Sequence, residues 1–393
     1  MAVQRGSFGG GRGMSEVSKK SAARRAPDFN RDRSAPSLPE QSFFGAWFTS
    51  ERDRAGRSSR SGSRSAFCGS MEQSARPHGR ADPAAIGSDF SEALIAGLSA
   101  PQKSIPSRFL YDAAGSALFE KITTLPEYYP TRTETDILRH QAEEIAAIVP
   151  AGAVLVEFGS GSSTKTELLL ERMDKLHAYV PIDISSAALR DAKARIAERF
   201  PELLVMPIEA DFAQPIVMPP EFSARPLFGF FPGSTIGNLR PVDAVALLAS
   251  MRRTLGPDAH LIIGADLKKN VRRLLAAYDD ADGVTAAFNL NLLVRANRER
   301  GANFKLDQFK HSATYDMRNG RIDMHLVSLR EQWVDVGGHR FHFDAGEQIH
   351  TEHSHKYEIE GFHTLVSEAG WRPQVVWTDA ERLFSVHVLI ADV

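Results

Sequence analysis

Between Ala153 and Leu267, five short apolar runs alternate with helix-length amphipathic stretches. The runs are AVLVEF (153–158), AYVPID (178–183), LLVMPIEADF (203–212), PLFGFFPGSTIGNL (226–239) and AHLIIGADL (259–267). A run that is apolar at almost every position reads as a strand covered on both faces. The intervening SSAALRDAKARIAERF (185–200) carries an apolar stripe behind a serine cap, and PVDAVALLASMRRTL (241–255) opens on a proline that suits a first helical turn. Strand and helix in strict alternation predict a parallel, doubly wound α/β sheet. A helix is also expected after the first strand, running through Leu176.

The alternation stops after Leu267. Helical stretches follow at VRRLLAAYDD and AAFNLNLLVRANRER, then strand-like SATYDM, RIDMHLVSLREQWV and HRFHFD. A helix ending at Gly370 and two strands, QVVWTD and FSVHVLIA, complete the chain. The expected layout is an α/β core interrupted by an α+β insertion. Upstream, FSEALIAGL and the Ser116–Ile122 stretch have helical spacing, Pro126 and Pro130 read as breaks, and another helix is expected near Thr133. This gives residues 83–135 with 271–357 as one domain, and residues 136–270 with 358–393 as the other.

Charge separates a third region. Residues 1–80 hold 13 Arg and 2 Lys against 7 acidic residues, a net of +8, whereas the remainder carries 32 basic against 42 acidic residues, a net of −10. The leader is rich in Arg, Ser and Gly and sustains no helical or strand period, so it is expected to be disordered. Three readings stand open for it: a nucleic-acid-binding arm, a transit-like leader, or upstream sequence ahead of a start at Met14 or Met71. The formal net charge of −2 gives the whole chain no attraction to nucleic acid or anionic membranes. Cys68 is the one cysteine, which excludes an internal disulfide and a multi-thiolate zinc site. With no long apolar run, a cytoplasmic protein is expected, without a membrane or nucleic-acid partner and monomeric.

The loop after the first apolar run is GSGSSTKT (159–166). Gly159 and Gly161, between a strand and a helix, allow a ligand to approach the backbone. Asp183 closes the second strand, where an acid accepts hydrogen bonds from ribose hydroxyls. Asp211 and Phe212 end the third, placed for an adenine amine and ring face. The third glycine of the dinucleotide fingerprint is replaced by Thr164. The set therefore points to S-adenosylmethionine and away from NAD. On these residues alone, a tight turn with capping aspartates is the competing reading, and Lys165 reads as an ordinary solvated lysine or a partner for a cofactor carboxylate.

The segments FLYDAAGSALFEKITTLPEYYPTRTETDIL (109–138), VEFGSGSSTKT, PIDIS, FPGSTIGNL, AYDDADGVTAAFNLNLL and TEHSHKY occur in this order. They resemble the L-histidine Nα-methyltransferases of ergothioneine biosynthesis, from about Ser107 to the C-terminus. The resemblance implies a Rossmann-like class I methyltransferase sheet with an inserted substrate-binding domain. It implies trimethylation of the α-amino group of L-histidine to hercynine, with another amino acid such as tryptophan, or an indole derivative, as the alternative substrate. It assigns Gly159, Lys165, Asp183, Asp211 and Phe212 to S-adenosylmethionine. It assigns Tyr128 to the histidine substrate, Asn238 and Tyr278 to its amino-acid head, and Glu352 and Ser354, with His353 between them, to its imidazole. Tyr111 matches a further active-site tyrosine, and it or a water could relay the amine proton.

The C-terminal part is dense in histidine: His339, His342, His350, His353, His355 and His363, with Asp344 and Glu347 among them. No H-E-x-x-H pair occurs, and alternate residues of a strand face opposite ways. These histidines are therefore expected to be solvated or packed, with no metal site.

Overall fold

The computed structural model describes residues 83–161 and 164–392. The basic leader lies outside them, as do Ser162 and Ser163 of the glycine loop. The strands of the core are β1 (Val154–Phe158), β2 (Ala178–Asp183), the short β3 (Leu204–Val205) and β4 (Ile208–Glu209), β5 (Leu227–Phe231) and β6 (His260–Asp266). The inserted strands are β7 (Phe309–Asp316), β8 (Arg321–Ser328), β9 (Gln332–Val336), β10 (His339–Phe343) and β11 (Gln348–His355). The chain ends with β12 (Trp371–Thr378) and β13 (Phe384–Ala391).

Among the described residues the main sheet has eight strands in the order β12-β13-β6-β5-β1-β2-β3, with β4 also paired to β2. The strands from β3 to β6 pair in parallel, and β13 and β12 close the far edge antiparallel. The order reverses at β1, so the loops after β1 and β5 diverge and leave a crevice at the carboxyl edge, where open α/β sheets bind ligands. β1 is buried at every position, including Glu157, whose carboxylate accepts from the Tyr179 hydroxyl.

The helices are α1 (Pro83–Ser99), α2 (Ala113–Thr124), α3 (Tyr129–Ile148), α4 (Thr164–Leu170), α5 (Ser186–Arg199), α6 (Pro241–Leu255), α7 (Val271–Tyr278), α8 (Val284–Arg300) and α9 (Ile359–Glu368). One face of the main sheet packs on Leu247, Leu248 and Met251 of α6 and on Phe362 and Val366 of α9. The other face packs on Ile137, Leu138 and Ile145 of α3 and Leu169 of α4. A separate apolar cluster gathers α1, α2, α7 and α8 against the antiparallel sheet β11-β8-β7 and the β9–β10 ribbon. The expected α/β core with an α+β insertion is the observed architecture.

Three local expectations differ from what is found. Pro130 does not break a helix but sits in the first turn of α3, where N–H groups have no carbonyl partner within the helix and a proline's missing one costs nothing. α4 stops at Leu170 rather than Leu176, and the Lys175 carbonyl instead accepts from Gly152 N at 2.7 Å. The third strand is split into β3 and β4 around Pro207, which cannot donate to the ladder.

Candidate active site

The carboxyl edge of the sheet gathers the glycine loop and its acids. Gly159 has φ +71°, which favours glycine, and a Cβ there would lie 3.3 Å from the Phe212 ring, so the loop and the turn after β4 approach closely at this point. The Asp183 carboxylate accepts from Gly161 N at 3.2 Å and Ser185 N at 2.9 Å, which fixes it at the end of β2. Asp211 caps its own turn by accepting from Ala213 N at 2.9 Å. Phe212 stands edge-on to Phe158 and Phe231. The hollow beside Gly161, which has φ +46° and nothing within 4 Å of a notional Cβ, is flanked by an acid and an aromatic ring. That donor set fits an adenosyl group.

Lys165 does not stand free in this hollow. Its ammonium pairs with Glu134, whose side chain is 1% exposed. The same carboxylate accepts from Gly233 N with both oxygens at 2.9 Å. Glu134 of α3 thus ties the loop after β1 to the loop after β5. It was not singled out in the sequence, where TRTET looks like an ordinary polar helix start.

The substrate-side residues lie where the insertion meets the sheet. Asn238 sits in the turn after β5, half-buried. Gly237 brings this turn against β11, since a Cβ would come within 2.7 Å of the His355 carbonyl oxygen. The Tyr278 hydroxyl donates to Ser354 Oγ at 2.9 Å. Lys356 Nζ donates to Tyr278 at 2.7 Å, to Ser354 Oγ at 2.8 Å and to Asp266 Oδ2 at 2.8 Å. Asp266, at the end of β6, also accepts from the Tyr129 hydroxyl at 2.8 Å and from Lys269. This buried network of Asp266, Lys356, Lys269 and Tyr129 was missed in the sequence. The available signal was a charged residue closing the apolar run LIIGAD.

Tyr128 stands edge-on to Tyr278, with 6.4 Å between ring centroids, and contacts Phe119. Tyr111 packs on Phe119 and Phe288. It follows a short helical turn and precedes Asp112, which caps α2 and accepts from Asn291 of α8 at 2.7 Å. Tyr111 is 40% exposed at the edge of this aromatic cluster. Burial, then the Glu352 carboxylate and the neighbouring tyrosines, push its hydroxyl well above the usual range. Burial does the same to Tyr128 and Tyr278. All three are therefore neutral hydrogen-bonding groups near pH 7.

Glu352 is 7% exposed, and its Oε2 has no hydrogen-bond partner among the described residues. Burial raises its carboxyl to about 7, against the pull of Lys356. A buried polar atom without a partner calls for an explanation, and this one lies close enough to Tyr111, Tyr128 and Tyr278 to act on their hydroxyls.

His353 does not join this group. The strand pairs Glu352 with Met324 and Ser354 with Ile322 on one face, and His353 with Asp323 on the other. Pleating turns its ring away from Glu352, toward His350 and His355. Its assignment beside the imidazole of a substrate is corrected on this geometry.

The profile of the S-adenosylmethionine-dependent, histidine-specific methyltransferases matches residues 90–391. The chain belongs to this family. Histidine N-alpha-methyltransferase of Mycolicibacterium smegmatis is 42% identical over 301 residues, covering 75% of this chain and 92% of that protein. The enzyme of the same name from Mycobacterium tuberculosis is 39% identical, covering 73% and 90%. Ergothioneine biosynthesis protein 1 of Neurospora crassa is 31% identical over 73% of this chain, but the match spans 33% of that longer protein. No helix among the described residues is long and apolar enough to cross a membrane.

Proposed function

We propose that the chain methylates the α-amino nitrogen of L-histidine three times, giving hercynine as the first step of ergothioneine biosynthesis. The observation that carries this reading is the buried, open Oε2 of Glu352 beside Ser354. A neutral imidazole has one N–H to donate and one nitrogen to accept. Glu352 serves the N–H. Ser354 Oγ already receives hydrogen bonds from Tyr278 and Lys356, so both its lone pairs are engaged and its own proton points onward as a donor. One acceptor and one donor side by side match the two ring nitrogens. A site of this kind rejects an apolar ring strongly, because its buried polar groups would go unpaired. An indole could give its N–H to Glu352 but offers Ser354 no ring acceptor, which argues against tryptophan or an indole derivative.

In this reading Asn238 and Tyr278 hold the amino-acid head, and Tyr128 and Tyr111 wall the reacting nitrogen. Residues 83–135 with 271–357 form the substrate lobe. Gly159, Asp183, Asp211 and Phe212 would hold the nucleoside of S-adenosylmethionine, and Lys165 with Glu134 would shape the site for its amino-acid tail. When bound, the cofactor supplies a methyl group on a sulfonium, open to in-line attack by an amine lone pair. The chain's own part is alignment and exclusion of water. The three tyrosines stay protonated and orient the amine, which attacks as the neutral base after giving up its proton to solvent before the site closes around it.

Incubation with S-adenosylmethionine and each of the twenty amino acids, read by mass spectrometry, tests the assignment. Histidine should gain up to three methyl increments and the others none. If another amino acid gained them while histidine did not, the substrate assignment would fail. Asp183→Ala should raise KM for S-adenosylmethionine roughly 10–100-fold, the loss of one charged hydrogen-bonding partner, with KM for histidine little changed. Steady-state kinetics with each substrate varied in turn checks this.

A further inference from the structure

We propose that Asp323, His350 and His353 form a binding site for a divalent transition-metal ion, on the face of the β11-β8-β7 sheet that looks away from Glu352. A regular strand would set His350 and His353, three residues apart, on opposite faces. The β8–β11 register shifts between His350 and Glu352, so an extra residue, Thr351, is accommodated there. This bulge resets the alternation. Ile349 and Glu352 then share the inner face, and His350 and His353 share the outer one. His350 lies opposite His325, and His353 opposite Asp323. The expectation that these histidines diverge rested on unbroken alternation, which the bulge removes.

One donor atom from each of Asp323, His350 and His353 falls within 4.8 Å of the others. His350 Nε2 lies 3.2 Å from Asp323 Oδ1. Two donors on a tetrahedral ion, each at about 2.1 Å, sit roughly 3.4 Å apart, so this pair already has the needed spacing. His353 Nε2 is buried and has no partner among the described residues, and the same is true of Nε2 of His355, a 7% exposed residue whose ring packs on His353 at 5.3 Å. Two imidazoles and one carboxylate with positions left open suit zinc, cobalt or ferrous iron. Arg321 Nε lies 3.0 Å from Asp323 Oδ1 and 3.1 Å from Oδ2, and it competes for this carboxylate. A carboxylate has lone pairs for both partners, with Oδ1 on the ion and Oδ2 on Arg321. The ion would clamp β8 to β11 directly behind the strand segment that carries Glu352 and Ser354.

The test uses full-length protein stripped with a chelator and dialysed. Calorimetric titration with Zn²⁺ should give one equivalent at micromolar affinity or tighter, and Zn²⁺ should raise Tm. Co²⁺ should give visible absorption distinct from that of the aqueous ion. His350→Ala and His353→Ala should each weaken binding at least tenfold and abolish the Tm rise, and His342→Ala, on the β9–β10 ribbon, should change neither. A wild-type protein that leaves the Co²⁺ spectrum aqueous would overturn the proposal. So would a His350→Ala/His353→Ala variant with native circular dichroism that binds Zn²⁺ as tightly as wild type.

Discussion

Glu352→Ala should raise KM for L-histidine roughly a hundredfold while leaving KM for S-adenosylmethionine unchanged within about twofold. A hydrogen bond to a charged group contributes about 1.5–3 kcal/mol, and its loss here strands the imidazole N–H in a buried site. The same carboxylate should leave a mark on stability. Its folded-state pKa, raised by burial to about 7, lies above the ordinary carboxylate value of 4.5. The folded protein therefore holds a proton that the unfolded chain releases between those two values. Its contribution is most favourable below pH 4.5 and is lost as pH rises through about 7. Glu352→Gln removes this titration. Its stability relative to wild type should improve between pH 5 and pH 8, by up to about 3 kcal/mol at about 1.4 kcal/mol per pKa unit. Glu157 is also raised by burial to about 7, but it is common to both proteins and drops out of the comparison. Urea denaturation at the two pH values measures the difference. A difference that stays flat with pH, or an alanine variant with near-normal KM, would remove Glu352 from the pocket. A variant that is steadier at high pH yet unable to bind histidine would mark a group kept for function at a cost in stability.

Much of the fold is legible because the core strands of a parallel sheet are covered on both faces. Val154–Phe158 and Ala178–Asp183 read as apolar at almost every position, and the observed strands agree with those runs to within a residue. Ser185 is likewise a cap visible in sequence, and its side chain accepts from Ala188 N. The glycine loop, Asp183 and Phe212 converge as their spacing implies, since a strand–loop–helix unit fixes where its ends point. The insertion is another matter. Alternation in β11 marks a strand but not its register, and a bulge of one residue decides whether Glu352 or His353 shares a face with His350. Tyr111, Tyr128 and Glu352 become candidates through family resemblance, because nothing local distinguishes a pocket tyrosine from a packing one. Glu134 and Asp266 escape notice for a further reason. Glu134 meets Gly233 and Asp266 meets Tyr129 across about a hundred residues or more of chain. Such pairings exist only after the sheet has assembled.

Asp266→Asn should destabilise the protein by about 3–5 kcal/mol, the usual effect of leaving a buried charge without its counter-ion. The side chains of Lys356 and Lys269 are 0% and 6% exposed, and both turn to this one carboxylate. Burial alone would raise the Asp266 carboxyl, but the two lysines outweigh it and hold it below the ordinary value. Its contribution is therefore present above about pH 4 and is lost as pH falls through the lowered folded value. The asparagine variant should lack that acid limb and melt roughly 10 °C lower, a rough conversion for a chain of this size. Lys356→Met in the Asp266→Asn background should recover part of the loss, because it removes a stranded cation. It leaves Lys269 with the Tyr129 hydroxyl and the Leu267 carbonyl. The cycle should show at least about 1 kcal/mol of coupling, as residues in one buried network do. Calorimetry on the four proteins provides the numbers. Strict additivity, or an asparagine variant within about 1 kcal/mol of wild type, would mean that the network does not hold the insertion to the sheet. Kinetics separate a further consequence. Lys356 pulls the Glu352 carboxyl down, so Lys356→Met alone should let it rise. The pH at which histidine affinity is half lost should then move upward, a shift that simple destabilisation would not produce.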